Sequence, residues 1–537
     1  LFLCIKFNPL LNNTCEGSDE FVKEKEENEK KTIIIKEKQL KGNCIVPGFI
    51  DAHLHPIIAT YYKTQLRLSE VKSYSELGRI IKLELKKRSK NDWIIAFDLM
   101  EDRFDDKNER FFPDRYKLDE ICDSNPLIIF RFDGHICSVN TLALEEIGIT
   151  PENMSELQLS TAGEIQLDDD GKLNGIFTEA ATTYILEKIP LPSNDKLREA
   201  YDLFSYELAS NGITTYGAVI QEGEIGIAGK AGAFELPYMK YLLKERLIEQ
   251  DIVLYIGTIN SNKLKRIKKT IEKYSEKENN VLVKGIKLWA DGAFGAFTAY
   301  MYEPYSDSPD KKTGYLVTKK DDLFRVFNHA YELGFDLSCH GIGDKANKII
   351  VEVYKKIKEN HSIYTSLTEK KECPLFRIEH ASLIDNDTLK EAARLGIIFV
   401  SQPLFIESEH YWLEKRLGSE RVQFVYPFRS IFDAGIILAG ASDAPVEPPN
   451  VLRAIQTCIT RNDFVPEQAI NVYEALKMFT INAAIALGQE KLKGSLEKNK
   501  LADFVILNKN IMKENPKKIS KIKILNTYHR GNKIYSS

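Results

Sequence analysis

The sequence predicts an α/β protein built on a (β/α)8 TIM barrel, with a flanking small β-sandwich formed by both termini and an inserted lid subdomain. Three observations lead to this prediction. Apolar segments typical of buried strands recur through the middle of the chain, helical segments lie between them, and short β-rich segments occur at both ends. The candidate barrel strands are residues 45–50, 212–219, 251–256, 281–290, 336–339, 375–379, 397–401 and 436–439.

Two segments between these strands have the period of an amphipathic helix. They are residues 321–333 and 387–395. In the first, apolar residues recur three or four positions apart, at Leu323, Val326, Phe327, Ala330 and Leu333. Eight strands that alternate with helices of this kind are what a (β/α)8 barrel requires.

The length of the chain predicts more than a barrel. A plain barrel needs about 250 residues, and the stretch from residue 48 to residue 487 is far longer. We place an insertion at about 60–180, where residues 93–97 and 127–130 look like extra strands. Residues 1–47 and 488–537 are each too short to bury a core, so we expect them to pair into one composite β-domain.

Composition excludes several classes of protein. The 537 residues are 43% hydrophobic and 28% charged, which is typical of a globular protein, and the net charge of −4 gives no support for nucleic-acid binding. No uninterrupted apolar run is long enough to span a bilayer, so we expect no membrane association. The eight cysteines have no close regular spacing, which favours free thiols and a cytoplasmic location.

The segment Asp51-Ala52-His53-Leu54-His55 lies directly after the first candidate strand. Residues two apart on a strand point to the same side, so His53 and His55 project together from the end at which barrels build their sites. Two imidazoles that converge in this way can hold a divalent transition metal. A His-x-His sequence also arises by chance, so the interpretation depends on the polar residues further along the chain.

Four more polar residues lie at or just beyond the ends of other candidate strands: Lys287, His340, His380 and Asp443. Each has another interpretation when taken alone. Either histidine could be a hydrogen-bonded core residue, Lys287 could pair with Asp291, and Asp443 could cap the following turn. If the barrel forms, however, these four side chains and those of His53 and His55 all lie at the same rim of the barrel. Without a metal they would be buried polar groups that lack partners. We therefore predict a divalent metal site.

These segments resemble the amidohydrolase superfamily, in its amidohydrolase-3 branch typified by N-substituted formamide deformylases and related amidases. The matching segments are residues 46–55, 287–299, 340–347, 377–380, 401–403 and 440–445. They occur in order over nearly the whole chain. The resemblance implies the barrel, the flanking β-sandwich and a metal-dependent hydrolase that acts on amide-like C–N bonds other than peptide bonds.

The resemblance also implies a role for each ligand. His53 and His55 would hold the first metal with Asp443, and His340 and His380 would hold a second. Lys287, carboxylated on its amine, would bridge the two, because an ammonium between two dications is unfavourable whereas a carbamate is an anion. An unmodified lysine beside a single metal is the alternative. Zinc is the default for histidine and carboxylate ligands, with iron or manganese as alternatives.

In the expected reaction, hydroxide activated by the metal attacks the amide carbon of a small-molecule substrate. Asp443 is the expected catalytic residue that passes the proton to the leaving amine. His135, Asp291 and Gln402 are candidate substrate contacts. His135 could instead pack within the lid, and Gln402 could merely end its strand.

Other functions are compatible with the same residues. Phosphotriester or lactone hydrolysis would use the same metals. Deamination of a ring amidine is another alternative, which would require no carbamate and a glutamate acid on a middle strand, with Glu179 as the conceivable candidate. A non-catalytic scaffold is a further alternative, which would hold no stoichiometric metal. The sequence leaves open the physiological substrate, the number of ions and the formation of a homo-oligomer.

Overall fold

Eight parallel strands form the largest sheet of the computed structural model. The model describes residues 21–25, 33–37, 43–131, 136–150, 165–178, 181–182, 185, 188–189, 191–223, 234–275, 280–365 and 373–537. The eight strands are Phe49–Leu54, Ile213–Gln221, Asp251–Gly257, Val281–Trp289, Asp336–Gly341, Phe376–His380, Ile398–Ser401 and Leu438–Gly440. Each strand pairs with the next one along the chain.

Two backbone hydrogen bonds join the segment that follows the last strand of this sheet to the carboxyl end of the first strand. The amide of Asp443 donates to the carbonyl of His53 over 2.9 Å, and the amide of His55 donates to the carbonyl of Ala444 over 2.8 Å. The sheet is therefore nearly closed into a barrel, which confirms the predicted (β/α)8 fold. All carboxyl ends of its strands lie at one rim, where such barrels carry their sites.

The strands are buried because helices cover the sheet. After the second strand, the helices of the barrel are Glu235–Lys244, Asn262–Ser275, Lys320–Glu332, Asp344–Thr365, Asn386–Arg394, Leu404–Leu417, Phe428–Asp433, Val451–Thr460, Val472–Met478 and Ile481–Ala486. Short 3₁₀ helices occur at Arg421–Phe424, Arg461–Asp463, Pro466–Gln468 and Pro516–Lys521. Both predicted helices are confirmed. The helix Lys320–Glu332 buries Leu323, Val326, Phe327 and Ala330 on one face. The helix Asn386–Arg394 is capped by Asp385, the residue that precedes it.

A four-stranded antiparallel sheet draws its strands from both ends of the chain. It contains Cys44–Pro47, Phe504–Leu507, Ile524–His529 and Asn532–Ser536, and Phe504–Leu507 pairs with Cys44–Pro47. A separate two-stranded sheet pairs Phe21–Lys25 with Ile33–Glu37. Both ends of the chain therefore contribute strands to one sheet, as the predicted fold class requires, while the predicted composite domain and its boundaries stay predictions.

The predicted first strand, residues 45–50, is two strands in the structure. Cys44–Pro47 belongs to the terminal sheet, and Phe49–Leu54 belongs to the barrel. Gly48 lies between them, and a Cβ there would lie 2.5 Å from Oγ1 of Thr214. Only glycine therefore lets the chain pass from one sheet to the other, and His53 lies within the barrel strand rather than beyond its end.

Contacts divide the chain into two compact units. One comprises Leu1–Pro56, Ser205–Ile227 and Glu235–Ser537, and the other comprises Ile57–Phe204 and Ala228–Phe234. The second unit contains a sheet of Leu66–Arg67, Ile94–Leu99, Leu127–Arg131, Ile136–Val139, Leu173–Thr178 and Ile165–Leu167, in that order. The remaining helices of the described chain are Pro56–Lys63, Tyr74–Leu85, Arg115–Ile121, Thr141–Ile147 and Asn194–Ser210, with 3₁₀ turns at Glu101–Arg103 and Lys107–Glu109.

The central strands Ile94–Leu99 and Leu127–Arg131 of the second unit's sheet are buried on both faces. Ile95 and Phe97 pack into one apolar cluster, whereas Ile94 and Ala96 pack into another. This separation arises from the alternation of side chains along a strand. No helix among the described residues combines the length and the apolar character that crossing a membrane would require.

A buried ion network ties the barrel to the terminal sheet. The Lys493 ammonium contacts Asp251, which begins the third barrel strand, and lies 3.1 Å from Oδ2 of Asp503, which precedes the strand Phe504–Leu507. Nη2 of Arg530 lies 2.8 Å from Oδ1 of Asp251. Burial alone would raise the pKa of Asp251, but the charges of Lys493, His529 and Arg530 hold it below its usual value.

Replacing Lys493 by methionine should destabilise the protein by about 3–5 kcal/mol, the usual cost of removing one partner from a buried ion pair. The loss should shrink only as the pH falls from about 3.9, the usual pKa of an aspartate, towards the lower pKa that Asp251 has in the folded protein, because a protonated Asp251 no longer needs the ammonium. Urea unfolding at pH 7 and at about pH 3 measures both effects. Lys509→Met, which removes an exposed partner of Glu514, is the control, and an equally small loss in both variants would contradict the prediction.

Candidate metal centre

His53, His55 and Asp443 meet where the first and eighth barrel strands join. Oδ1 of Asp443 lies 3.3 Å from Nε2 of His53 and 3.2 Å from Nε2 of His55. His53 and Asp443 are buried and His55 is partly buried. The two backbone hydrogen bonds between residues 53–55 and residues 443–444 hold these segments together. The first pair of predicted ligands and the predicted aspartate therefore lie close to one another.

The spacing of these three atoms fits a divalent cation. Ligand atoms about 2.0–2.2 Å from a tetrahedral zinc lie about 3.3–3.6 Å from one another. Oδ1 of Asp443 is buried and accepts no hydrogen bond from a described residue, although two imidazole nitrogens lie close to it. Burial would raise the pKa of Asp443, but His53 and His55 hold it well below its usual range, so the carboxylate is anionic.

His340 and His380 form the second pair of predicted ligands. Their ring centroids are 4.4 Å apart, and the His380 ring is 5.5 Å from that of His53. Burial lowers the pKa of His340 to about 3 and that of His380 well below its usual value. Both rings are therefore neutral at physiological pH, as a metal ligand must be.

The second nitrogen of each buried imidazole has an oxygen partner. Nδ1 of His53 lies 2.7 Å from Oε2 of Glu379, and Nδ1 of His380 lies 2.9 Å from Oε1 of Gln402. Nε2 of His340 lies 3.0 Å from the carbonyl oxygen of Gly292. Because these oxygens can only accept, each ring donates to its partner through that nitrogen, and the neutral rings of His340 and His380 keep a lone pair on the other nitrogen.

Lys287 lies in the fourth barrel strand, buried with 1% exposure. Its ammonium nitrogen has no hydrogen-bond partner among the described residues. Burial lowers the pKa of Lys287 to about 8, and its charge lowers the pKa values of His55, His340 and His380. A buried amine without a partner is costly, so this position favours a modification or a ligand that satisfies it.

The backbone at two of the predicted ligands is unusual. His380 has a φ of 73° and Asp443 a φ of 60°, in the left-handed region that costs a residue other than glycine roughly 1–2 kcal/mol. Such conformations persist where the surrounding structure enforces them, and they concentrate at functional sites. Here they turn the chain sharply at the end of a barrel strand, which directs both side chains towards the other ligands.

The predicted substrate contacts have different surroundings. Asp291 is buried and accepts hydrogen bonds from the amides of Tyr300, Ile342 and Gly343, and burial raises its pKa to about 7. Gln402 is fully buried against His380. His135 lies outside the described residues. Contact of any of the three with substrate stays a prediction.

Sequence reasoning missed the residues behind His53. Glu379 binds that imidazole, and Arg377 and Ser338 in turn hold Glu379 through hydrogen bonds of 2.7–3.0 Å. The available signal was a pair of charged residues two apart in an otherwise apolar strand. Such a pair points to one side of the strand, into the barrel, where only a polar site would require it.

A second group of acidic residues and a histidine has a different explanation. Asp251, Asp503 and His529 also lie close enough together to bind a cation. The Lys493 ammonium already contacts both carboxylates. The chain thus supplies its own cation there, and we assign no metal to that cluster.

Comparison with known proteins agrees with the fold. The model of the amidohydrolase family matches residues 37–535. Protein LONG AFTER FAR-RED 3 of Arabidopsis thaliana is 28% identical over 518 residues, which cover 93% of this chain and 83% of that protein. N-substituted formamide deformylase of Arthrobacter pascens is 25% identical over 512 residues, which cover 92% of this chain and 88% of that protein.

A solved structure extends the comparison to three dimensions. The crystal structure of an uncharacterized metal-dependent hydrolase from Pyrococcus furiosus superimposes with a TM-score of 0.69 at 25% identity, covering 88% of this chain and 89% of that one. The family model, the relatives and this structure all span most of the chain, barrel and terminal sheet included. The chain therefore belongs to the amidohydrolase family of metal-dependent hydrolases.

Proposed function

We propose that this protein hydrolyses an amide-like C–N bond, other than a peptide bond, in a small molecule. The observation that carries the proposal is the meeting of an anionic Asp443, neutral imidazoles and a buried amine without a partner at one rim of the barrel. Such a set suits a reaction that needs a bound cation, an activated water and a residue to carry a proton. A cytoplasmic location and a homo-oligomer are further predictions.

The donor set suits a divalent metal, and zinc is the first candidate. His53, His55 and Asp443 would hold one ion, His340 and His380 a second, and carboxylated Lys287 would bridge them. When bound, the ions would lower the pKa of a water molecule and polarise the substrate carbonyl. Imidazole and carboxylate ligands are those that zinc prefers among common divalent ions.

Lys287 can be carboxylated because its amine is partly neutral near pH 8. Burial lowers its pKa to about 8, so a substantial fraction of the side chain is an amine with a free lone pair. That amine attacks the carbon of CO₂, a C–N bond forms, and the nitrogen loses one proton to solvent. The carbamate that results is an anion with two oxygens, which replaces an uncompensated ammonium.

Asp443 would carry the proton during the reaction. It is anionic at neutral pH because His53 and His55 depress its pKa. The carboxylate accepts the proton that the attacking water loses and delivers it to the leaving nitrogen, since an amine leaves more readily once protonated. The buried setting of Asp443 and His380 limits access of bulk water to this transfer.

N-substituted formamides are the first substrates to test, because a relative's name states that it acts on them. Metal removal with a chelator should abolish hydrolysis of such a formamide, and added Zn²⁺ or Mn²⁺ should restore it. The same preparations are assayed against a phosphotriester and a lactone. Faster turnover of either ester would overturn the proposal in favour of ester hydrolysis, and purified protein without stoichiometric metal would favour a scaffold.

A further inference from the structure

A buried ion pair lies directly behind His53. Oε2 of Glu379 is 2.7 Å from Nδ1 of His53, and the guanidinium of Arg377 donates to both oxygens of Glu379, from Nε over 2.9 Å and from Nη2 over 3.0 Å. The hydroxyl of Ser338 donates to Oε1 of the same carboxylate over 2.7 Å. Arg377 and Glu379 are 1% and 0% exposed, so these contacts are screened little by solvent.

Arg377 is itself fixed from three sides. Its Nη2 donates to the carbonyl of Ala52 over 3.0 Å, and its Nη1 donates to the carbonyl of Ala486 over 3.2 Å. The guanidinium also lies 4.2 Å from the centre of the Tyr255 ring. Because Ala52 immediately precedes His53, the arginine links Glu379 to the strand that carries the imidazole, and the carboxylate has little freedom to move away.

The hydrogen-bond acceptors of the second pair of imidazoles are neutral oxygens, and Oδ1 of the Asp291 carboxylate lies 3.7 Å from Nε2 of His340, too far for a hydrogen bond. His380 donates to the side-chain amide of Gln402, and His340 donates to the backbone carbonyl of Gly292. A carboxylate acceptor makes an imidazole more basic towards a cation than a neutral acceptor does, and it also fixes which ring nitrogen carries the proton. His53 is therefore supported by a negatively charged acceptor, whereas His340 and His380 donate to neutral acceptors.

We propose that Arg377 and Glu379 are positioning residues that lock His53 as its Nδ1–H tautomer and make the His53, His55 and Asp443 position the tighter of the two cation positions. This proposal rests on the metal binding of the proposed function. Arg377 stabilises the buried carboxylate of Glu379, because a buried carboxylate without a partner would strongly destabilise the protein. The consequence is ordered loading, in which the first ion binds at His53 and the second at His340 and His380.

The test is a metal titration of the full-length protein after its ions have been removed. Zn²⁺ affinities are measured by competition with a chromogenic chelator of known affinity, which needs no substrate. Wild type should bind two ions with separable affinities. Glu379→Gln, which keeps the shape but removes the charge, should weaken the tighter step by about 10–100-fold and leave the weaker step unchanged.

Gln402→Met is the matched variant for the other position. It removes the neutral acceptor of His380 and should weaken the weaker step while leaving the tighter step unchanged. This crossed pattern separates positioning from general loss of structure, which would lower both affinities in either variant. Equal effects of Glu379→Gln on both steps, or no effect on either, would overturn the proposal while the proposed function stands. Wild type that binds no zinc would overturn both.

A double variant keeps the test decisive if Glu379→Gln leaves the Arg377 charge uncompensated and fails to fold. Arg377→Met with Glu379→Gln removes both charges together, which buried ion pairs often tolerate. The double variant should fold and show the same selective weakening of the tighter step. Wild-type affinities in a folded double variant would show that the ion pair does not position His53.

Discussion

Replacing Asp443 by asparagine is expected to lower kcat by about 10²–10⁴-fold, the usual contribution of a positioned proton-transfer group. Asparagine matches the shape of the side chain but carries no charge and accepts no proton at neutral pH. The wild-type carboxylate is anionic because His53 and His55 depress its pKa, so the variant loses both the acceptor and an anionic ligand. Turnover of an N-substituted formamide is measured with saturating Zn²⁺ to separate proton transfer from metal loss.

Asp336→Asn is the matched control. Asp336 is also a buried aspartate of the barrel, but it begins its strand and accepts from the amide of Leu375 at the opposite end from the predicted ligands. This variant should turn over substrate at the wild-type rate, whatever its stability. A kcat of Asp443→Asn within a few-fold of wild type, with metal bound, would show that another residue carries the proton.

The barrel was predictable because its strands are short apolar runs with helical segments between them. The predicted strand 251–256 corresponds to Asp251–Gly257, and 281–290 corresponds to Val281–Trp289. The differences lie mostly at the carboxyl ends, where His340 and His380 extend their strands beyond the apolar run. A polar residue looks like the end of a strand in sequence, yet the backbone pairing continues when that side chain is satisfied within a site.

The sequence predicts that the candidate ligands come together, but it does not predict the residues that support them. His53, His55, Lys287, His340, His380 and Asp443 each stand near a strand end, and a parallel barrel brings all such ends to one rim. The acceptor for His340 is the backbone carbonyl of Gly292. Because every residue has a backbone carbonyl, the sequence cannot indicate which one accepts. Glu379 reaches His53 from a strand 326 residues away, so its role depends on the barrel's register rather than on any local pattern.

If the proposed function holds, replacing Lys287 by methionine is expected to leave one bound cation in place of the two proposed for the wild type, and to reduce turnover by more than the roughly 10–100-fold that loss of a supporting contact costs. Methionine fills the same space without a nitrogen to carboxylate, so the proposed bridging anion cannot form. Metal content by mass spectrometry and kcat on an N-substituted formamide measure the two effects. Lys287→Ala should regain part of its activity with added acetate, because a small carboxylate can occupy the space left by the carbamate.

Lys284→Met is the control for the loss of a lysine from the same strand. Residue 284 lies three positions before residue 287 and is only partly buried, so the control should keep both ions and full turnover. Wild type purified without CO₂ should behave like Lys287→Met and should recover when bicarbonate is added. Two ions retained in Lys287→Met, together with wild-type activity that ignores bicarbonate, would show that Lys287 stays an unmodified amine.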